Sequence, residues 1–295
     1  MKDSFSRLHP IVGLVYFASV ISFSMFMMNP LCLAISLICA VANAVQLNGR
    51  KSVFFGIKFI LPTAILLMII NPIVNHAGVT ILTYFPWDNP LTLESIVYGI
   101  ASAVMLSSVV FWFSSFNRIM SSDKLVYLFG KVAPSLGLLL SMAFRFVPRF
   151  SDQFREVRAA RKLLGNEKSG FAEKTKDAVR VISLMLSYSL EGSIETADSM
   201  KARGYGLKGR TAYSSYSFTK HDILTLLIVC ILTAALFLLR VIVGTAKYRY
   251  FPSVKGNLTG TDSVIFFTLY FLLMILPLFI NIGEGLRWKR LQSAI

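Results

Sequence analysis

Charge is scarce in this sequence, and acidic charge is scarcest. Only 15% of its 295 residues are charged, and Lys and Arg (30) outnumber Asp and Glu (15) two to one. An average soluble domain has roughly 25% charged residues. The mean hydropathy is +0.64. This composition excludes an ordinary soluble domain and is typical of a membrane protein.

Cysteine and histidine are too few and too scattered to build a metal centre or a disulfide framework. The three cysteines lie in apolar segments without CxxC spacing, and His9, His76 and His221 lie apart from one another and from carboxylate clusters. No phosphate-binding loop, GxSxG or HExxH pattern occurs. We therefore expect no metal, no cofactor and no catalytic site in this chain, and any use of ATP would need a separate subunit.

Long apolar runs, by contrast, are abundant. A helix needs about 17 to 25 apolar residues to cross the bilayer core. Six segments meet that test, namely Ile11 to Met28, Leu31 to Leu47, Val53 to Ile70, Ser95 to Phe116, Ile223 to Val243 and Ser263 to Ile282. The sequence therefore predicts an all-α polytopic membrane protein with about six transmembrane helices.

The basic residues are distributed unevenly between these segments. The stretch Asn71 to Glu94 has none, whereas Asn117 to Lys220 holds eighteen of the thirty. Because cytoplasmic loops are enriched in Lys and Arg, both termini are predicted to be cytoplasmic. This bias also explains the positive net charge without nucleic acid as a partner. We divide the chain into an N-terminal membrane region (1–116, four spans), a cytoplasmic and interfacial region (117–220) and a C-terminal membrane region (221–295, two spans).

The region 117–220 is predicted to be helical. Its leucine-rich stretch Leu125 to Phe144 is interrupted at Pro134 and favours an interfacial helix. A first cytoplasmic helix follows over Ser151 to Leu164, and Gly165 to Gly170 break the pattern. A second long helix is predicted from about Phe171 to Arg203 by a stripe of apolar residues at spacings of three and four. The stripe comprises Val179, Ile182, Leu186, Leu190, Ile194, Ala197 and Met200.

The second helix ends in the sequence SMKARGYG, from Ser199 to Gly206. Lys201 and Arg203 lie in the last turn, where cations favour the negative end of the helix dipole, and Gly204 or Gly206 can take the left-handed conformation that ends a helix. A well-formed helix end would explain this pattern by itself. However, both cytoplasmic helices end in a basic residue near a glycine, which favours a pair of docking tips for acidic grooves on soluble partners.

Several short motifs resemble those of a known family, the transmembrane T component of energy-coupling factor transporters, which are ABC-type importers of vitamins and of transition-metal ions such as cobalt and nickel. These motifs are Arg7-Leu8-His9-Pro10, Asn71-Pro72, Leu91-Thr92-Leu93-Glu94, Tyr98-Gly99, Arg145-Phe146-Val147-Pro148-Arg149 and Ala202-Arg203-Gly204-Tyr205-Gly206. The resemblance covers nearly the whole chain. It implies a non-catalytic scaffold in a prokaryotic cell membrane.

The resemblance also implies partners and roles for particular residues. Arg203, flanked by Ala202 and Gly204, would dock into one of two ABC ATPase subunits, which form a homodimer or a heterodimer. The other tip is Ala160-Arg161-Lys162, which departs from the Ala-Arg-Gly-like pattern of the family, so that either Arg161 or Lys162 can supply its charge. A separate small membrane protein, the S component, would bind the substrate.

Arg145 and Arg149 flank Phe146-Val147-Pro148, where interfacial anchoring alone would explain the two basic residues. The resemblance implies instead a hinge between the membrane and coupling regions, formed by Arg145, Pro148 and Arg149. Two other functions remain alternatives. One is a conventional ABC importer permease that forms the substrate path itself, for which Glu195-Thr196-Ala197 followed by Gly204 is a faint signal. The other is a polytopic membrane enzyme, which would need a cluster of catalytic polar residues at one interface.

Overall fold

The computed structural model describes residues 4–75, 77–84, 90–163, 170–208, 216–253, 255–256 and 260–293. The described chain is almost entirely helical. It divides into two compact units. We call Met1–Lys124 together with Tyr216–Ile295 the membrane unit, and Leu125–Ser215 the central unit.

Helices account for nearly all the regular structure. The helices are α1 (Pro10–Phe26), α2 (Pro30–Asn48), α3 (Arg50–Phe55), α4 (Leu61–Val74), α5 (Leu93–Ile119), α6 (Ser122–Val132), α7 (Pro134–Leu163), α8 (Phe171–Ala202), α9 (Lys220–Leu238) and α10 (Thr261–Ser293). A 3₁₀ turn, Phe5–Arg7, precedes α1, and π-helical turns at Gly56–Ile60 and Leu239–Val243 join α3 to α4 and extend α9. Two antiparallel ladders pair β1 (Ile81–Tyr84) with β2 (Pro90–Thr92) and β3 (Tyr248–Arg249) with β4 (Lys255–Gly256).

Five helical stretches of the described chain are long and apolar enough to cross a membrane. They are Pro30–Asn48, Arg50–Val74, Leu93–Ile119, Lys220–Val243 and Thr261–Gln292. The apolar helix α1 has 17 residues, which places it at the lower end of the spanning range. Each of the six predicted apolar segments coincides with one of these helices. The prediction of a polytopic all-α membrane protein is therefore confirmed.

The first two helices start where the sequence supplies a cap followed by proline. Asn29 Oδ1 accepts a hydrogen bond from the backbone N–H of Leu31 (3.1 Å), and Pro30 occupies the first helical turn, where its missing N–H costs nothing. His9 and Pro10 repeat this arrangement at the start of α1. These short signals fix the helix starts locally, before any long-range packing.

Aromatic and small polar side chains together form the core of the membrane unit. Trp112 of α5 is fully buried, and its Nε1 donates to Ser36 Oγ of α2 (3.2 Å). Ser36 in turn shares a hydrogen bond with Ser24 of α1 (2.7 Å). Tyr16 of α1 donates its hydroxyl hydrogen to the backbone oxygen of Met274 in α10 (3.3 Å). Because no water competes inside a bilayer, such internal pairs hold the spans together.

The central unit begins with a tight turn between α6 and α7. The residue before a proline disfavours the helical conformation, so α6 ends before Pro134 and α7 starts there. A Cβ atom added to Gly137 would overlap the backbone of Gly130. The turn therefore requires glycine at Gly137, because the backbone of Gly130 occupies the place of a side chain.

The predicted division of the next segment into two helices is wrong. We expected an interfacial helix to Phe144 and a separate cytoplasmic helix from Ser151, but α7 is a single helix of 30 residues that continues through Pro148. Proline removes one hydrogen bond and crowds the carbonyl four residues earlier, which bends a helix without necessarily ending it. Here the change from apolar to charged sequence occurs within one continuous element.

The second long helix is confirmed. α8 runs over 32 residues, Phe171–Ala202, and is about 48 Å long at about 1.5 Å per residue. Gly170 is its N-cap, at the end of the predicted break. Residues 164–169 of that break lie outside the described part of the chain.

Candidate functional site

The C-terminal end of α8 closes as a complete Schellman motif. The backbone N–H of Tyr205 donates to the oxygen of Met200 (3.0 Å), and that of Gly204 donates to Lys201 (2.9 Å). Gly204 has a φ of 78° and Gly206 a φ of 92°, both in the left-handed region. The sequence-based expectation of a glycine-terminated helix is therefore confirmed.

This helix end presents its basic residues to the outside. Lys201, Ala202 and Arg203 are exposed, and Arg203 is the C-cap. The remaining carbonyls at the end of a helix carry partial negative charge, so a cation here is favourable to the helix itself. The geometry therefore offers a rigid, exposed basic tip, while the role of Arg203 in docking remains a prediction.

A groove of about 1040 Å³ within the central unit brings two groups of predicted residues together. Arg145 of α7 and Arg203 both line it, with Glu195 of α8. Leu138 and Met200 contribute apolar surface. The predicted hinge and the predicted docking tip, which are 58 residues apart in sequence (203 − 145), thus border one cleft.

The other predicted tip is differently arranged. The Arg161 guanidinium forms an ion pair with Asp177 of α8, and its Nη1 also donates to the backbone oxygen of Asp177 (3.4 Å). The Arg161 side chain is only 14% exposed. Ala160 is exposed, and the side chain of Lys162 lies outside the described residues. Arg161 thus joins the ends of α7 and α8 within the unit.

The predicted hinge lies in the middle of α7. Arg145 stands over the ring of Phe146, with 5.6 Å from its Cζ to the ring centre, and the rings of Phe146 and Phe150 stack at 5.7 Å. Pro148 and Arg149 are exposed. Pro148 has no backbone N–H, so α7 has one helical hydrogen bond fewer at this point. Its action as a hinge remains a prediction.

Periodicity located the apolar stripe of α8 but did not show where that stripe faces. Asp177 of α8 forms its ion pair with Arg161 of α7, and Val181, one turn later on the same face of α8, is buried. The stripe lies on another face, and its large side chains are exposed. Their exposed fractions are Val179 60%, Ile182 56%, Leu186 60%, Leu190 67% and Ile194 65%. None of the predicted docking and hinge residues belongs to this exposed apolar row.

Among the residues that the structure describes, no group of three or more His, Cys, Asp or Glu side chains is placed to hold a metal ion. His9 is buried and stacks on Phe218 with ring centres 3.7 Å apart, and His221 is exposed. His76 lies outside the described residues.

Comparison with known proteins also indicates a membrane transport family. The model of the CbiQ family, described as cobalt transport protein, matches residues 1–213. An energy-coupling factor transporter transmembrane protein of Lactobacillus helveticus is 29% identical over 108 residues, which are 36% of this chain and 39% of that protein. The chain thus spans about two fifths of that relative's length. The corresponding protein of Macrococcus caseolyticus is 24% identical over 250 residues, which are 79% of this chain and 93% of that protein.

A third relative has a different name. A putative ABC transporter ATP-binding protein of Bifidobacterium longum is 24% identical over 249 residues, covering 79% of this chain and 31% of that protein. The family match covers well over half of the chain, and the fold is the expected bundle of apolar helices with long polar ones. This chain therefore belongs to the CbiQ family.

Proposed function

We propose that the chain is the non-catalytic coupling subunit of an energy-coupling factor importer in a prokaryotic cell membrane, with both termini cytoplasmic. It transmits the ATP-driven motion of two ABC ATPase subunits to a separate small membrane protein that binds a vitamin or a transition-metal ion. The observation that carries this proposal is the exposed, rigidly closed tip of α8 with Arg203 at its cap.

The Arg203 tip is suited to docking in an acidic groove. Its backbone hydrogen bonds are satisfied by the Schellman closure, so that docking requires no refolding of the helix end. Ala202 and Gly204 are small and allow close approach. A guanidinium can bind a carboxylate through two parallel hydrogen bonds. The similarity to a protein named as an ABC transporter ATP-binding protein supports an ABC ATPase as the partner.

For the tip of α7 we assign the docking charge to Lys162 rather than to Arg161. The Arg161 side chain is largely buried against α8 and already paired with Asp177. Removing it from that pair would leave a partly buried carboxylate without its cation, at a cost in free energy. Arg161 then serves docking indirectly, because it keeps the ends of the two helices together.

The exposed apolar stripe of α8 is the surface we assign to the small substrate-binding subunit. ATPases present polar, soluble surfaces, whereas a small membrane protein presents the apolar surface that Leu186, Leu190 and Ile194 can cover. One helix then carries both contacts, with its tip on an ATPase and its side on the membrane partner. A helix of about 48 Å that moves as a rigid body can transmit displacement between them.

The test is charge reversal at the tip. In the tagged protein co-expressed with ABC ATPase subunits, Arg203→Glu should abolish their copurification and the ATP hydrolysis of the complex, because it offers an anion to an acidic groove. The matched control is Arg180→Glu, since Arg180 is also exposed on α8 but lies more than six turns from the tip. Retained ATPase binding in the Arg203 variant, with the control unchanged, would contradict the proposal.

A further inference from the structure

One short segment near the N-terminus contacts residues that flank the central unit on both sides. The chain enters the central unit at Leu125 and leaves it at Ser215. The flanking residues, Lys124 and Tyr216, belong to the membrane unit. The segment Phe5–His9, which we call the N-terminal clasp, contacts the chain next to each of these junctions. Its sequence includes part of the Arg7-Leu8-His9-Pro10 motif, for which composition and periodicity suggest no purpose.

At the entering junction, the clasp holds a buried lysine. Lys124 is 7% exposed, and its Nζ donates to the backbone oxygens of Ser6 in the clasp and of Ile119 at the end of α5 (2.9 Å). Burial lowers the pKa of Lys124. A buried ammonium group is stable only where acceptors surround it, so these carbonyls fix the position of the side chain. One residue therefore ties α5, the first turn of α6 and the clasp together.

At the leaving junction, His9 of the clasp contacts aromatic rings and the carboxylate of Asp222. The ring of His9 stacks on Phe218 at 3.7 Å and meets Tyr216 edge-on at 6.4 Å. The backbone N–H of His9 donates to Asp222 Oδ1 (2.9 Å). Asp222 Oδ2 accepts from the backbone N–H of Thr219 (2.9 Å) in the capping box that starts α9.

The clasp is itself anchored in the membrane unit. The backbone N–H of Phe5 donates to Asn281 Oδ1 of α10 (3.0 Å). The buried ring of Phe5 meets those of Tyr16 and Phe17 in α1 edge-on at 5.3 Å and 6.3 Å. The Phe5 side chain is 1% exposed, so this anchor belongs to the aromatic core. Displacing the clasp would therefore disturb α1 and α10 together.

The residues beside the two junctions also interact electrostatically. Burial, and next the negative charge of Asp123, raise the pKa of Tyr216. Asp123 immediately precedes Lys124. The negative charge of Asp123, beside the entering junction, thus acts on the phenol of Tyr216, beside the leaving junction. Lys124 and Tyr216 both contact the clasp, through Ser6 and His9.

We propose that the N-terminal clasp supports coupling by fixing the residues that flank the central unit on either side, Lys124 and Tyr216 to Asp222, to α1 and α10. Lys124, His9 and Phe218 are then positioning residues, which touch neither ATPase nor substrate. This inference rests on the proposed function of the chain as a coupling subunit. With these flanking residues held, we expect a displacement at the α8 tip to reach the spans, whereas freely moving flanks would let the central unit move while the spans stay still.

The experiment measures the distance between spin labels in the two units. Labels are attached to cysteines replacing the exposed Lys51 of α3 and the exposed Ser187 of α8, in a Cys230→Ser background, because Cys32 and Cys39 are buried. The protein is reconstituted in nanodiscs with its ABC ATPases, with and without Mg-ATP. Lys124→Met should at least double the width of the distance distribution and abolish its shift on ATP addition, while the ATPases remain bound.

Controls separate positioning from folding. Lys220→Met removes an exposed lysine near the leaving junction and should leave the width and the shift unchanged. Phe218→Leu removes the stacking on His9 and should broaden the distribution, whereas Phe218→Tyr keeps an aromatic ring and should restore it. The Phe218 pair decides the question if Lys124→Met fails to fold. Wild-type width and shift in Lys124→Met, or in Phe218→Leu where that pair decides, would overturn the proposal.

Failure of the proposed function gives a different result. If no ATPase copurifies with the wild-type chain, the coupling function is wrong, and no ATP-dependent shift exists to be lost. The width of the distribution in the isolated chain still tests whether the clasp fixes the central unit. Unchanged widths in Lys124→Met and Phe218→Leu would then reject the clasp by itself.

Discussion

The membrane unit and the central unit bury apolar surface in contrasting ways. The membrane unit encloses large side chains completely, among them Trp112, Tyr16, Tyr270 and Phe266. In the described part of the central unit, Val181 is the one buried hydrophobic side chain, while the long apolar row of α8 is exposed. The membrane unit therefore has a core of its own. The central unit, by contrast, has two long helices that do not enclose the apolar row of α8 between them.

The largest effect is expected in the core of the membrane unit. Trp112→Ala should lower the free energy of unfolding by about 3–5 kcal/mol, because it leaves a large cavity where α1, α2 and α5 meet. It also removes the hydrogen bond from Nε1 to Ser36 Oγ (3.2 Å). The measurement is reversible unfolding in mixed detergent micelles, followed by circular dichroism.

The matched control for this variant is the next residue of the same helix. Phe113 is 46% exposed, so that Phe113→Ala creates no enclosed cavity and should cost less than about 1 kcal/mol. Similar losses in the Trp112 and Phe113 variants would show that the membrane unit does not depend on an aromatic core. The membrane unit would then not differ from the central unit by having an enclosed core.

An intermediate effect is expected where the central unit is held together internally. Arg161→Glu should destabilise the pairing of α7 with α8 by about 1–2 kcal/mol, because it places two carboxylates side by side at a partly buried position. The pair is with Asp177, whose side chain is 39% exposed, which limits the effect by solvent screening. Hydrogen exchange of the α7 and α8 backbone amides measures this loss.

Two further variants make the interpretation specific. The double variant Arg161→Asp with Asp177→Arg should restore the protection of these amides from hydrogen exchange, because the two opposite charges swap places and still attract each other. Lys162→Glu should leave exchange unchanged and instead weaken ATPase binding, as expected for the docking charge of this tip. If Arg161→Glu and Lys162→Glu alter exchange equally, the ion pair does not hold the helices together.

Local signals in the sequence were sufficient to locate the apolar spans and the tip of α8. Apolar runs located the spans, and the glycines of SMKARGYG predicted a helix end that the hydrogen bonds of Gly204 and Tyr205 confirm. Both depend on interactions within a few residues. The continuity of α7 through Pro148 was not predictable in the same way, because a proline is compatible with either a bend or an end.

Long-range pairings account for most of what the sequence did not reveal. Arg161 meets Asp177 across a helix pair, and Lys124 meets Ser6 across 118 residues. Neither pairing has a fixed spacing that a motif could encode. The stripe of α8 shows a further limit. Periodicity identifies an apolar face, but whether its own chain or a partner covers that face depends on packing that periodicity does not describe.

The smallest effect on the chain itself is expected at that stripe. Leu190→Ser with Ile194→Ser should change the free energy of unfolding of the isolated protein by less than about 0.5 kcal/mol for each residue, because both side chains are about two thirds exposed (67% and 65%). Met185→Ser, on the less exposed side of the same helix, is the matched control and should cost more. The double variant should nevertheless lose most of its copurification with the small membrane subunit, since it removes the apolar surface that this partner would bury. A loss of stability equal to that of Met185→Ser would mean that the chain covers this stripe itself, and the central unit would then resemble the membrane unit after all.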